Sequence, residues 1–115
     1  MDRMKLIEAG INYDEGVQRF GGQSQMYEKY LKVLFENGHF QSLLEQVAAM
    51  DYPSAFGTAH SLKGEVGNLS LNKLYATLCD ISNELRHGSP GERLKTEIEV
   101  AKGQYDIARA AVMAE

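Results

Sequence analysis

The 115-residue chain holds one cysteine, two prolines and no tryptophan. Cys79 alone cannot close an internal disulfide, so a reducing, cytoplasmic location is expected. No apolar run reaches the length of a membrane span. The opening Met1-Asp2-Arg3-Met4-Lys5 leads into no apolar signal segment, which argues against secretion. Alternating runs of Val, Ile and Thr are missing, so little strand is expected. No strong charge bias exists: the net charge of −4 disfavours nucleic acid or an anionic membrane as partner. The chain has no Gly-x-x-x-x-Gly-Lys-Ser/Thr run and no kinase glycine loop, so no ATP site of its own is expected. His39 and His87 stand at no metal-ligand spacing to each other or to His60, and no cysteine lies two to four residues away. Both read as surface or cap residues.

What is present is helical. Hydrophobic residues make up 43% and charged residues 24%, globular values that argue against disorder and for one domain over 1–115. Residues 14–20 form a short first helix stopped by Gly21-Gly22. Ser24 is placed to cap the next, with Tyr27, Leu31, Leu34 and Phe35 on one side. Asn37-Gly38 either ends that helix or bends it. Phe40, Leu43, Leu44, Val47 and Ala48 continue a stripe as far as Met50. Asp51-Tyr52-Pro53 then opens a helix ending near Asn68, with Pro53 in its first turn. Ser70 reads as the cap of a helix from 71 to about 87, with Leu71, Leu74, Leu78, Ile81 and Leu85 inward. Gly88-Ser89-Pro90-Gly91 is a break. The last helix, from about 92 to 113, turns Leu94, Ile98, Ala101, Tyr105, Ala108 and Val112 inward. Short connections between amphipathic helices predict an all-α, antiparallel up-and-down bundle.

The helix before Asn68 carries the candidate site. At roughly 100° per residue from His60, Ala55, Ala59, Leu62, Val66 and Leu69 share one apolar arc. His60 points away from it, toward water. Lys63, Gly64 and Gly67 follow at i+3, i+4 and i+7 on the histidine's face. A glycine inside a helix costs about 1 kcal/mol relative to alanine. Both lie outside the apolar arc, so the space they leave is expected to serve something outside the protein. Imidazole, with an ordinary pKa of about 6.5, is largely neutral and nucleophilic at neutral pH. Lys63 is placed to offset the charge of a phosphoryl group on its outer nitrogen. Phe56, one turn before His60, is expected as an exposed apolar anchor for a partner, although a lone surface histidine is ordinarily only a solvated residue.

The run Ala59-His60-x-x-Lys63-Gly64, followed by Gly67-Asn68-Leu69, resembles the histidine-containing phosphotransfer (HPt) family. The run Ile11-x-x-Asp14-x-Gly16-Val17-x-Arg19-Phe20-Gly21-Gly22, then Tyr27, Leu31, Leu34 and Phe35, is similar to the family's N-terminal half. Asp51 stands at the usual distance before the histidine, and residues 74–88 resemble the helix paired with the histidine helix. The resemblance is strongest over 11–88. It implies a four-helix bundle with additional short N-terminal helices and a phosphohistidine at His60. The phosphoryl group would come from a receiver-domain aspartate and pass to another, in a multistep His–Asp phosphorelay. The implied partners are response-regulator receiver domains and a hybrid histidine kinase. The chain itself would be a monomeric carrier and not an enzyme, with no cofactor and no metal, the Mg²⁺ belonging to the receiver. The docking face would comprise Phe56, Gly57, Gly64, Glu65 and Gly67.

Three positions depart from the family pattern. Glu65 replaces a small residue and is expected at the edge of the docking face, where it bears on partner choice. Ser70 replaces a later glycine, as a helix cap would explain. Ser82 stands where many members carry a Glu that holds the inner imidazole nitrogen, and is the candidate for orienting His60. These departures motivate the alternative of a non-phosphorylated helical adaptor that docks receivers without chemistry. A Cys79–His60 catalytic pair across the helical hairpin lacks any oxyanion site.

Overall fold

The computed structural model describes residues 1–88 and 90–114. Within them the chain is all-helical, with seven α-helices and no strand: α1 (Arg3–Glu8), α2 (Tyr13–Arg19), α3 (Ser24–Glu36), α4 (His39–Ala48), α5 (Tyr52–Asn68), α6 (Asn72–Leu85) and α7 (Arg93–Met113). Three starts follow from short polar side chains that accept otherwise orphaned amides. Asp2 accepts from the Met4 and Lys5 amides, Asn12 from Glu15, and Asp51 from Ser54, with Pro53 in the first turn of α5 as expected.

Several details differ from the sequence expectation. α1 is an additional element; at six residues, with only Leu6 buried, it is too short to show a periodic stripe. Ser24 does not cap α3 but is its first helical residue, and Gln23 precedes it with no side-chain cap bond. Ser70 is not a cap either: Leu71 precedes α6, and Ser70 sits in the preceding turn with φ +61°. Gly38, at φ +74°, separates α3 from α4, so Asn37-Gly38 ends the helix. Ala48, expected in the stripe of α4, is exposed at its end. Within the break after α6, Ser89 lies outside the described residues.

Four helices stop in the same way. After α1, α2, α4 and α5 the chain places one left-handed residue: Gly10, Gly21, Met50 and Ser70. The following amide then bonds back across the last turn, from Ile11 to the Leu6 carbonyl, Gly22 to Val17, Asp51 to Gln46 and Leu71 to Val66, at 2.9–3.0 Å. This is the Schellman arrangement, which satisfies carbonyls a helix end leaves unpaired. Two of the four use glycine, which adopts positive φ without a Cβ penalty; Met50 and Ser70 do so at a cost.

α5 packs against α4 and α6, α6 against α7, and α7 reaches back to α1 and α3. The inward stripes of α6 and α7 follow the expected periodicity: Leu71, Leu74, Leu78, Ile81, Leu85, Leu94, Ala101, Ala108 and Val112 are buried, and Ile98 and Tyr105 are partly so. Tyr105 stacks on Phe40 with ring centroids 4.3 Å apart and meets Phe35 at 5.0 Å, joining α7 to α3 and α4. Tyr27, fully buried, joins the N-terminal helices to the end of α5. Its hydroxyl donates to the Leu69 carbonyl at 2.6 Å, and its ring lies against Gly16, where any Cβ would overlap it. Burial pushes its phenol well above the ordinary tyrosine range. No helix among the described residues is long and apolar enough to cross a membrane.

Candidate functional site

α5 positions the site by burying the opposite face. Ala55, Ala59, Leu62 and Val66 are 0–1% exposed and lie against the neighbouring helices. The remaining arc therefore turns outward, and His60, Gly57 and Gly64 are exposed as the periodicity predicts. The His60 imidazole makes no hydrogen bond to a described residue. The Phe56 ring lies over it, with centroids 6.3 Å apart and planes 26° from parallel. Phe56 is itself partly buried against the core, so less of its ring is exposed than the sequence expectation of an exposed anchor had it.

Lys63, half-buried, has no ion-pair partner among the described residues. Together with Arg19, Asn68, Asn72 and Tyr75 it lines a groove of about 370 Å³ whose floor includes Gly64 and Gly67. A side chain at Gly64 would meet nothing within 4 Å, and the same holds at Gly57. Gly67 differs. A Cβ there would fall 2.9 Å from Cδ1 of Tyr75, so this glycine accommodates the Tyr75 ring of α6. The expectation that Gly67 serves only something outside the protein is corrected on that point, because α6 itself claims the space.

Glu65 does not project freely from the edge of this face. Its carboxylate lies 2.8 Å from His39 Nδ1 and accepts from Asn37 Nδ2 at 3.0 Å, which turns it toward the α3–α4 junction. His39 is thus a tether for Glu65, and His87 is an exposed residue after α6. Ser82 does not orient His60. It is 1% exposed on the inner face of α6, and its hydroxyl has no hydrogen-bond partner. The imidazole projects from the outer face of α5, and no bond joins the two. Cys79 is half-buried on α6, and its hydrogen bonding with Tyr75 raises that phenol above its ordinary value.

Arg19, Asn72 and Tyr75 enter the site without having been anticipated. They lie on α2 and α6, and only the folded chain brings them beside Lys63. Glu15, one turn before Arg19, is held in turn by Ser70, whose hydroxyl donates to Glu15 Oε1 at 2.8 Å. That bond, helped by Arg19, lowers the Glu15 carboxyl below its ordinary value. No cluster of three or more His, Cys, Asp or Glu placed to hold a metal occurs among the described residues.

Comparison with protein-family models, with curated proteins and with solved structures finds no match to this chain.

Proposed function

We propose that the chain is a histidine phosphotransfer protein, with α4–α7 as an antiparallel up-and-down four-helix bundle and α1–α3 as its N-terminal addition. The observation that carries this reading is the His60 face: an exposed imidazole free of hydrogen bonds, with Lys63 one turn on and open space at Gly64. The imidazole's outer nitrogen attacks the phosphorus of an aspartyl phosphate on a receiver domain. The N–P bond forms, the P–O bond to the carboxylate breaks, and the carboxylate leaves. In the second half-reaction an aspartate carboxylate of another receiver attacks the same phosphorus and frees the imidazole. Lys63 offsets the phosphoryl charge, and the bare backbone at Gly64 lets the donor approach. Positioning supplies most of the catalysis in such transfers. The Mg²⁺ and the phosphorylating machinery belong to the receivers and a hybrid kinase, and the carrier works as a cytoplasmic monomer.

The second reading, a receiver-binding adaptor without chemistry, draws on the imidazole's lack of a hydrogen-bond partner: Ser82 is turned inward, and among the described residues only the Phe56 ring lies against the imidazole. The two readings part in one experiment. The protein is incubated with a panel of receiver domains labelled by radioactive acetyl phosphate, and the product is tested for acid-labile, base-stable phosphate. Label on the wild type and none on His60→Gln is expected, with Lys63→Ala labelled more slowly. Receiver binding without label on the wild type overturns the relay and leaves the adaptor.

A further inference from the structure

We infer that the Lys63–Arg19 groove is an electrostatic docking site for an acidic surface of the receiver, and that Arg19 is its second cation, set in place by Ser70 through Glu15. This inference rests on the phosphotransfer reading and adds a contact outside the histidine helix.

The groove is a cationic spot on an acidic molecule. Lys63 and Arg19 line it, Glu15 stands at its edge beside Arg19, Lys63 has no carboxylate partner among the described residues, and the chain as a whole carries −4. Gly67 lies about 10 Å along the helix axis from His60, so the groove adjoins the histidine at docking distance. Asn68 and Asn72 add amides to the same wall, and Tyr75 lines the side formed by α6. Such a concentration of one sign selects a partner of the other and speeds its encounter.

Arg19 is half-exposed. Its Nε lies 3.6 Å from Glu15 Oε1, and its two Nη atoms bond to no described residue. An exposed pair at that distance contributes little to stability. It does limit where the guanidinium can go and leaves the Nη donors free. Glu15 is fixed by the buried Ser70 hydroxyl at 2.8 Å, and Ser70 lies in the turn that closes α5. The order Ser70, Glu15, Arg19 therefore ties the end of the histidine helix to a cation on α2.

The test measures kcat/KM for transfer from a receiver that labels His60, across a salt series. At low salt Arg19→Glu is expected to lower kcat/KM about tenfold and Arg19→Gln about threefold, with both losses shrinking as salt screens the contact. Arg19→Lys is expected to restore most of the rate. Ser70→Gly suits the left-handed backbone, so it should leave the thermal midpoint near that of the wild type while lowering kcat/KM and flattening the salt slope. An Arg19→Glu protein with wild-type rate and salt slope overturns the inference and leaves the phosphotransfer reading standing. So does a rate loss that salt does not change and lysine does not restore. A wild type that no receiver labels overturns both.

Discussion

Gly64 and Gly67 lie three residues apart on one helix and are glycine for different reasons. A side chain at Gly64 enters open space, whereas one at Gly67 presses on the Tyr75 ring. The two substitutions should therefore separate function from packing. Gly64→Gln is expected to leave the thermal midpoint unchanged or slightly raised, since glycine costs a helix about 1 kcal/mol. It should slow phosphoryl transfer from a labelled receiver, and unchanged transfer would remove the clearance at Gly64 from the mechanism. Gly67→Ala is expected to move the Tyr75 ring, which is 40% exposed and can give way, at a cost below about 1 kcal/mol in a denaturant titration. Periodicity placed both glycines on the outer face of α5. What stands opposite Gly67 depends on α6, and no spacing within one helix reveals it. Ser82 repeats the lesson: its position in the chain suggested a partner for His60, but its helical phase buries it.

At the scale of elements, helix interiors were legible and helix ends less so. The stripes of α3, α5, α6 and α7 appear in the sequence because burial repeats every three or four residues. Caps depend on single dihedral angles. Ser24 and Ser70 are residue types that cap helices, yet one lies inside a helix and the other takes a left-handed turn. Met50 makes a further test. It closes α4 with φ +58° while 72% exposed, so its side chain contributes little packing. A left-handed conformation costs a residue with a Cβ about 1–2 kcal/mol. Glycine relieves that cost but loses about 0.4–1 kcal/mol through a freer unfolded chain. Met50→Gly is therefore expected to stabilise the protein by about 0.5–1 kcal/mol, read as a higher urea midpoint at unchanged slope. A lower midpoint would mean that the Met50 side chain packs more than its exposure indicates.

In the whole molecule, the site borrows from an N-terminal helix as well as from α5 and α6. The resemblance pointed to His60, Lys63 and Gly64, all on α5. Arg19 escaped notice as a site residue because α2 reaches the groove only through tertiary packing. Gly16 shows how closely that packing is drawn. Its missing side chain lets Tyr27 pass beneath α2 and donate to Leu69. Gly16→Ala is expected to cost about 1–3 kcal/mol by forcing the ring aside. Tyr27 belongs to the same clasp that holds the end of the histidine helix, so transfer should weaken along with stability. A variant of wild-type stability would show that Tyr27 has another place to go.

The turn between α5 and α6 has a consequence for the order in which the protein assembles. The two helices are neighbours in sequence and can meet through local contacts. Their turn, however, is completed from far away: the Asn12 amide donates to the Ser70 carbonyl at 2.9 Å, Ser70 donates to Glu15 across 55 residues, and Tyr27 reaches Leu69 across 42. Long loops must close before those bonds form, and loop closure is slow relative to hairpin formation. On the ribosome the first helices emerge well before their partners in the turn, and they wait for them. The histidine helix gains its fixed end only when the beginning of the chain folds back onto it.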